Sequence, residues 1–106
     1  MKRIGQAIKI NPEYEEEYRK LHAKAWPGVL EMLRKCNVRN YSIFKLAEYM
    51  FAYFEYTGDN YEEDMKRIEE DPCSAEWEKI CNKCQLPFEK GAKVEWVDME
   101  EIFYMK

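Results

Sequence analysis

Residues 38–57 read VRNYSIFKLAEYMFAYFEYT, two runs rich in β-branched and aromatic residues with only Ala47-Glu48 clearly between them. Runs of this composition favour β-strands, and so short a connection favours their pairing as an antiparallel hairpin. The second run, Tyr49–Thr57, carries apolar side chains at both odd and even positions. Because alternate residues of a strand point to opposite faces, we predict that both faces of this strand are covered.

A strand and two helical segments are predicted on the N-terminal side of the hairpin. Arg3–Ile10 alternates large side chains with polar or small ones, which favours a strand. Asn11-Pro12 then offers a capping side chain and a proline that suits the first helical turn. Trp26-Pro27 interrupts this helix, and Pro27 can begin a second helical segment that ends near Asn37.

Two helices and a last strand are predicted on the C-terminal side. Tyr61–Glu70 follows a turn and a capping signal, and a further helix runs from Cys73 to about Cys84. Gln85–Lys93 contains a proline and a glycine and is predicted to be a loop. The chain closes with a strand within Val94–Met105, most clearly in the segment MEEIFYM.

This order of elements, β-α-β-β-α-β, predicts an α+β fold of the ferredoxin-like kind, an antiparallel sheet with its helices on one face. A chain of 106 residues is expected to form one such domain, covering residues 1–106. One layer of helices covers only one side of the sheet, so the doubly apolar strand Tyr49–Thr57 needs a second cover. We predict that an identical subunit supplies it, which makes the protein a homodimer and a dimeric α+β barrel.

Composition excludes several classes of partner. The chain has 17 basic and 21 acidic side chains and a net charge of −4, so it has no global positive field for nucleic acid or an anionic membrane. No apolar run suits a signal peptide or a membrane span, and a cytoplasmic location is the default expectation. In that setting reduced thiols are expected rather than disulfides at the four cysteines, Cys36, Cys73, Cys81 and Cys84.

The helix predicted after Asn11 carries the only histidine of the chain. Tyr14, Tyr18 and His22 are four residues apart and therefore share one helical face. Two phenols and an imidazole on one face can stack, donate hydrogen bonds and move a proton near neutral pH, which suggests chemistry on a small molecule. The alternative interpretation is ordinary packing of a half-buried, hydrogen-bonded histidine.

Cys81-x-x-Cys84 has the spacing of a zinc knuckle or a redox pair. These cysteines nevertheless fall on one apolar helical face with Cys73, Trp77 and Ile80. We therefore interpret the thiols as small core side chains and predict no metal site.

Three segments, NPEYEEEYRKLHAKAWP (11–27), NYSIF (40–44) and EEIFYM (100–105), together resemble the L-rhamnose mutarotases. The resemblance is good over residues 1–56 and the last strand, and weak over 57–93. It implies a small dimeric ferredoxin-like enzyme that interconverts the α and β anomers of a pyranose without a cofactor.

The resemblance also implies roles for individual residues. His22 would be the catalytic proton donor, with Tyr18 and Tyr41 contacting the sugar. The family has two adjacent tryptophans at the start of the last helix; Trp77 matches the second and would bind the sugar, whereas Glu76 replaces the first. We hypothesise that Glu76 accepts a hydrogen bond from a sugar hydroxyl.

Two alternatives stay open at the level of sequence. Fold alone does not separate a mutarotase from a dimeric α+β barrel whose helix histidine ligates haem or assists oxidation of an aromatic substrate. The cysteines would also suit a non-enzymatic thiol or metal-binding module.

Overall fold

The computed structural model describes residues 1–106, which form one antiparallel sheet covered by four α-helices on one face. The strands are β1 (Lys2–Ile10), β2 (Val38–Leu46), β3 (Tyr49–Tyr56), β4 (Gln85–Leu86) and β5 (Val97–Asp98). The helices are α1 (Glu15–Ala23), α2 (Pro27–Lys35), α3 (Tyr61–Glu70) and α4 (Pro72–Lys83), with a 3-10 turn at Pro12–Tyr14. The predicted ferredoxin-like class is confirmed, with each helical crossover divided into two helices at a proline.

The sheet has the order β2-β3-β1-β4, and β5 also pairs with β1. β2 and β3 form the predicted hairpin, in which Leu46 lies opposite Tyr49. β1 pairs along its whole length with β3, which places Ile8 opposite Met50. The two long pairings place β3 between β1 and β2 in the sheet.

The core lies between the sheet and the first and last helices. Ile8 and Ile10 of β1 are almost completely buried there. They form one hydrophobic cluster with Met50 of β3, Tyr18 of α1, and Cys81 and Cys84 of α4. Because α1 and α4 pack on the same strip of the sheet, side chains from distant parts of the sequence meet between them.

Local capping follows the sequence. The Oδ1 atom of Asn11 accepts a hydrogen bond from the backbone N–H of Glu13 at 3.1 Å, as predicted for a helix N-cap. The first turn is a 3-10 turn that includes Tyr14, so α1 itself begins only at Glu15. Asp71 caps α4 in the same way by accepting from the N–H of Ser74 at 2.9 Å.

β3 is buried on only one of its two faces. Met50, Ala52, Phe54 and Tyr56 face the helices and are buried, whereas the alternate residues on the other face are only half-buried. Within one chain the helices cover one face of β3, and the prediction that an identical subunit covers the other face stays a prediction. One layer of helices cannot reach the outer face of the sheet.

The last strand lies within Val94–Met105, as predicted, but it is Val97–Asp98 and not the favoured segment MEEIFYM. Val97–Asp98 pairs with the middle of β1, and the residue after it, Met99, donates its backbone N–H to the carbonyl of Gly5 at 2.8 Å. Gln85–Leu86, predicted to be part of a loop, pairs with the C-terminal end of β1. Two short strands therefore divide the β1 edge on which a single strand was expected.

Residues 99–106 continue without regular secondary structure over the outer face of the sheet. Arg3 holds this segment, because its guanidinium makes an ion pair with Glu101 at 2.6 Å and lies 3.3 Å from the ring centroid of Tyr104. The consecutive apolar side chains at its end suggested a strand, but no second layer faces them within one chain. Three of them are strongly exposed, Ile102, Phe103 and Met105.

A buried carboxylate links the start of α3 to the hairpin and predicts a pH effect on stability. Asp64 accepts hydrogen bonds from the hydroxyl of Tyr56 at 2.5 Å, from Asn37 at 3.0 Å and from Arg67 at 3.1 Å. These bonds, with that of Tyr56 foremost, lower the pKa of Asp64. Ionised Asp64 therefore stabilises the fold above its ordinary pKa, and this stabilisation is lost as the pH falls through its lower folded-state pKa.

Asp64→Asn is expected to lower the urea midpoint at pH 7 and to reduce the difference in midpoint between pH 7 and pH 3. Glu62→Gln, an exposed position on the same helix, is the control. An unchanged pH dependence in the Asp64 variant would contradict the assignment.

None of the helices is both long enough and apolar enough to cross a membrane. The cytoplasmic location stays a prediction from the sequence.

Candidate functional site

A cavity of about 380 Å³ opens between the helices and the hairpin. It is lined by His22 of α1, aliphatic side chains of α2, the segment Tyr41–Ile43 of β2, and Ser74, Trp77 and Glu78 of α4. We call it the His22 cavity. Its volume is within the range of roughly 300–1,000 Å³ that is typical of small-molecule sites.

A wider depression of about 540 Å³ follows the outer face of α1, but its walls are mainly glutamate and lysine side chains without an aromatic ring. The His22 cavity is the better candidate, because it combines an apolar wall with a few convergent polar groups.

One ring nitrogen of His22 is hydrogen-bonded to the backbone, and the other has no hydrogen-bond partner. Its Nδ1 atom lies 2.9 Å from the backbone carbonyl oxygen of Tyr18. A carbonyl only accepts, so Nδ1 carries a proton and donates it, which leaves Nε2 as the nitrogen that gains and loses a proton. Burial lowers the pKa of His22, and the bond to the Tyr18 carbonyl opposes this effect. The imidazolium is therefore a stronger acid than an exposed one.

Aromatic rings hold the imidazole from two sides. The ring of Tyr18 stacks on it with centroids 4.1 Å apart, and Trp77 approaches edge-on at 5.0 Å. Trp26 in turn packs against Trp77 at 5.2 Å. These contacts restrict rotation of the imidazole, as a proton-transfer group requires.

Tyr18 does not line the His22 cavity. It lines a neighbouring cavity of about 300 Å³, which also contains His22 and Ile43. The phenolic oxygen accepts a hydrogen bond from Nε2 of Gln85 at 3.3 Å, and burial raises the pKa of Tyr18. The O–H proton therefore stays on the phenol and is free to be donated.

A β-bulge orients Tyr41. The register of β2 against β3 shifts between Arg39 and Ser42, and Asn40 adopts a positive φ of 51°. The ring of Tyr41 stacks on Phe54 with centroids 5.2 Å apart. Although part of this side chain is exposed, removal of its hydroxyl from water, aided by the negative charge of Glu78, raises its pKa to about 12. Tyr41 is therefore a neutral donor in the wall of the cavity.

α4 brings Ser74, Trp77 and Glu78 into the cavity, because positions i, i+3 and i+4 share one helical face. Glu76 is exposed and does not line the cavity, so the structure gives no support to the hypothesis that it binds a sugar hydroxyl. Tyr14 is also outside, packed against the core cluster. Sequence reasoning missed Ser74 and Glu78, although their spacing from Trp77 and Cys81 was a usable signal.

The thiols are core side chains. All four cysteines are free, and Cys36, Cys81 and Cys84 are buried. Burial, with the charge of Glu78 adding to it, raises the pKa of Cys81 to about 12, which keeps it protonated. No group of three histidine, cysteine or acidic side chains is placed to hold a metal ion.

Comparison with known proteins identifies the family. The family model described as L-rhamnose mutarotase matches residues 3–105. The L-rhamnose mutarotase of Lactiplantibacillus plantarum is 33% identical over 107 residues, with 99% of each chain covered. That of Oceanobacillus iheyensis is 30% identical over the same length and coverage.

Solved structures agree in fold. A crystal structure of an L-rhamnose mutarotase from Formosa agariphila covers 100% of both chains with a TM-score of 0.77 at 21% identity. Tetracenomycin F2 cyclase from Streptomyces glaucescens, a type II polyketide cyclase, has a TM-score of 0.69 at 16% identity, covering 100% of this chain and 97% of the cyclase. The fold thus serves more than one chemistry. The haem and thiol-module alternatives are not favoured, and the family match decides that the chain belongs to the L-rhamnose mutarotase family of anomer-interconverting isomerases.

Proposed function

We propose that this chain interconverts the α and β anomers of L-rhamnose, with His22 as its acid–base group. The observation that carries the proposal is the imidazole itself. Its Nδ1 is held by a backbone carbonyl, its plane is held by two aromatic rings, and it lines a cavity of small-molecule size. The family to which the chain belongs supports the choice of sugar.

The chemistry matches such a group. Exchange of anomers requires the ring oxygen to gain a proton while the anomeric hydroxyl loses one, so that the C1–O5 bond breaks and an open-chain aldehyde forms. Rotation about C1–C2 and ring closure on the other face complete the reaction. No electron is gained or lost, and the reaction as written needs no cofactor. A positioned acid–base group contributes roughly 10²–10⁴-fold to such a step.

The neighbouring side chains would bind the sugar. Trp77 offers an apolar face to the C–H side of the ring and to the methyl group. The neutral hydroxyl of Tyr41 would donate to a sugar oxygen from the hairpin side. The free O–H of Tyr18 would donate from the neighbouring cavity, and its ring would keep the imidazole in place.

NMR saturation transfer between the anomers tests this function directly. The protein should accelerate exchange of L-rhamnose well beyond the buffer rate. L-mannose, which differs from L-rhamnose by a hydroxyl on C6, should react with a kcat/KM lower by up to about 100-fold, the discrimination that an apolar contact gives against an added hydroxyl. Buffer-level exchange for both sugars would exclude the proposal.

We also propose that the chain forms a homodimer through the outer face of its sheet. That face carries the half-buried rings of Tyr49, Phe51 and Tyr53, and Phe44 beside them on β2 is 65% exposed. The exposed apolar side chains of the C-terminal segment lie over the same side of the sheet. A continuous apolar surface of this kind favours a second copy of the chain as its cover.

Light scattering at micromolar concentration should give twice the chain mass. Phe44→Glu should shift the protein to monomers, because a carboxylate would then be buried in the interface. Lys66→Gln on the exposed side of α3 changes the net charge by the same amount and should leave the dimer intact. A monomeric wild type would refute the dimer.

A further inference from the structure

The α4 wall of the His22 cavity contains a polar side chain without a partner. Ser74 is only 6% exposed, and its Oγ atom is the buried side-chain oxygen for which the structure offers no hydrogen bond. Its backbone N–H is held by Asp71, so the residue is fixed at the cavity. Native proteins rarely leave a buried hydroxyl unpaired, which indicates that a bound molecule supplies the missing bond.

Glu78, one turn further along α4, is a carboxylate without an ion pair. It makes no salt bridge and no hydrogen bond, whereas Glu15, Glu16 and Glu17 on α1 all pair with lysine or arginine. Its helical face is the one that carries Ser74 and the buried Cys81, so it is directed toward the sheet. The side chain of Glu78 has a large solvent-accessible area, and part of this area lines the His22 cavity.

A second cavity adjoins the first at these residues. It has a volume of about 520 Å³, and Tyr41, Ser74 and Glu78 line both cavities. Glu78 and Ser74 therefore lie at the junction of the two cavities. Glu76, on the other side of Trp77 in the sequence, is exposed and lines neither cavity.

The electrostatic surroundings of Glu78 suit proton transfer. Although Glu78 is exposed in area, desolvation of its carboxylate, together with the charge of Glu69 on α3, raises its pKa. Burial lowers that of His22. The two values move toward each other, which lowers the free-energy difference for passing a proton through a sugar between the two groups.

Resting on the proposed role of His22, we propose that Glu78 is the second proton-transfer group of the reaction and that Ser74 binds an adjacent sugar hydroxyl. The imidazolium of His22 gives the proton on Nε2 to the ring oxygen as the C1–O5 bond breaks. The carboxylate of Glu78 takes the proton of the anomeric hydroxyl, which becomes the aldehyde oxygen.

After rotation about C1–C2, the C5 hydroxyl attacks the other face of the aldehyde. Neutral His22 takes the proton of that hydroxyl, and Glu78 returns its proton to the new anomeric oxygen. Both groups end as they began, and atoms and charge balance.

The two groups together predict a bell-shaped dependence of kcat/KM on pH. The acid limb reports protonation of Glu78 and lies above the ordinary glutamate pKa; the alkaline limb reports deprotonation of His22 and lies below the ordinary histidine pKa. The other titratable groups that face Glu78 are Tyr41 on β2, Glu69 on α3 and Cys81 on α4. The high pKa of Tyr41 and Cys81 keeps both neutral across this range.

Glu78→Gln tests the assignment against Glu76→Gln, the same substitution two residues away on the solvent side. We expect Glu78→Gln to lower kcat by about 10²-fold or more and to remove the acid limb while keeping the alkaline one. Glu76→Gln should leave both the rate and the two limbs unchanged. If Glu78→Gln kept the wild-type rate and both limbs of the pH profile, the role of Glu78 would be overturned and the proposed function would stand. If the wild type itself gave only buffer-level exchange, the proposed function would be overturned.

Ser74→Ala separates binding from a structural role. We expect KM for L-rhamnose to rise by about 10-fold with little change in kcat. This pattern indicates the loss of an interaction that is equally strong in the ground state and in the transition state. Because the hydroxyl has no partner in the free protein, the thermal midpoint should be unchanged or higher. An unchanged KM would overturn the assignment of Ser74.

Discussion

Replacing His22 with alanine is expected to slow enzyme-catalysed exchange between the anomers of L-rhamnose by about 10²–10⁴-fold. No other histidine exists in the chain to take over the proton. The imidazole makes one hydrogen bond to the backbone of its own helix, so its removal should leave the fold intact. NMR saturation transfer, with wild type and variant at equal concentration, measures the effect.

Added imidazole provides the control for this experiment. The truncated side chain leaves a space between the rings of Tyr18 and Trp77, which contact the imidazole in the wild type. Free imidazole should occupy this space and restore part of the rate in His22→Ala. Equal exchange by wild type and variant would exclude His22 from the mechanism.

Replacing Ile8 with alanine is expected to lower the free energy of unfolding by about 2–5 kcal/mol, which is a large part of the stability of a domain of this size. Ile8 is completely buried in β1 and belongs to the cluster that joins the sheet to α1 and α4. Its loss leaves a cavity beneath Tyr18 and Cys81, and the rigid sheet cannot close it. Urea unfolding at pH 7 gives the value.

Ile8→Val offers a graded comparison at the same position. It removes a single methylene and should destabilise the protein by only about 0.5–1.5 kcal/mol. The order wild type, valine, alanine is therefore expected in the urea midpoint. If the alanine variant unfolded within about 0.5 kcal/mol of the wild type, Ile8 would not be a central core residue, since only surface substitutions are usually so mild.

The site residues implied by the family resemblance agree best with local sequence pattern where they are close in sequence. Tyr18 and His22 stack because they are one helical turn apart, and the spacing alone is enough to predict this contact. Trp77 joins them from α4, more than 50 positions away. The resemblance implied that Trp77 binds the sugar, but no local pattern predicted its contact with His22. The region in which the resemblance is weak, residues 57–93, also holds Ser74 and Glu78.

The position of the last strand and the side that Glu76 faces both depend on parts of the chain that are distant in sequence. Residues 99–105 end in the apolar run IFYM, which suggested a strand, but β4 and β5 occupy the available edge of β1. Glu76 stands beside Trp77 in sequence, yet neighbours along a helix point about 100° apart, and it faces solvent. Glu78, two residues on, reaches the cavity.

Local pattern was sufficient for the hairpin, the Asn11 cap, the breaks at proline and the aromatic face of α1. Each of these depends on interactions among residues within a few positions of one another, and such interactions can be predicted from the local sequence. The orientation of Tyr41 by a bulge, the division of the β1 edge and the entry of Glu78 into the His22 cavity emerged only when the helices were packed on the sheet. They depend on which distant surfaces bury the most apolar area together, and a linear pattern does not contain that information.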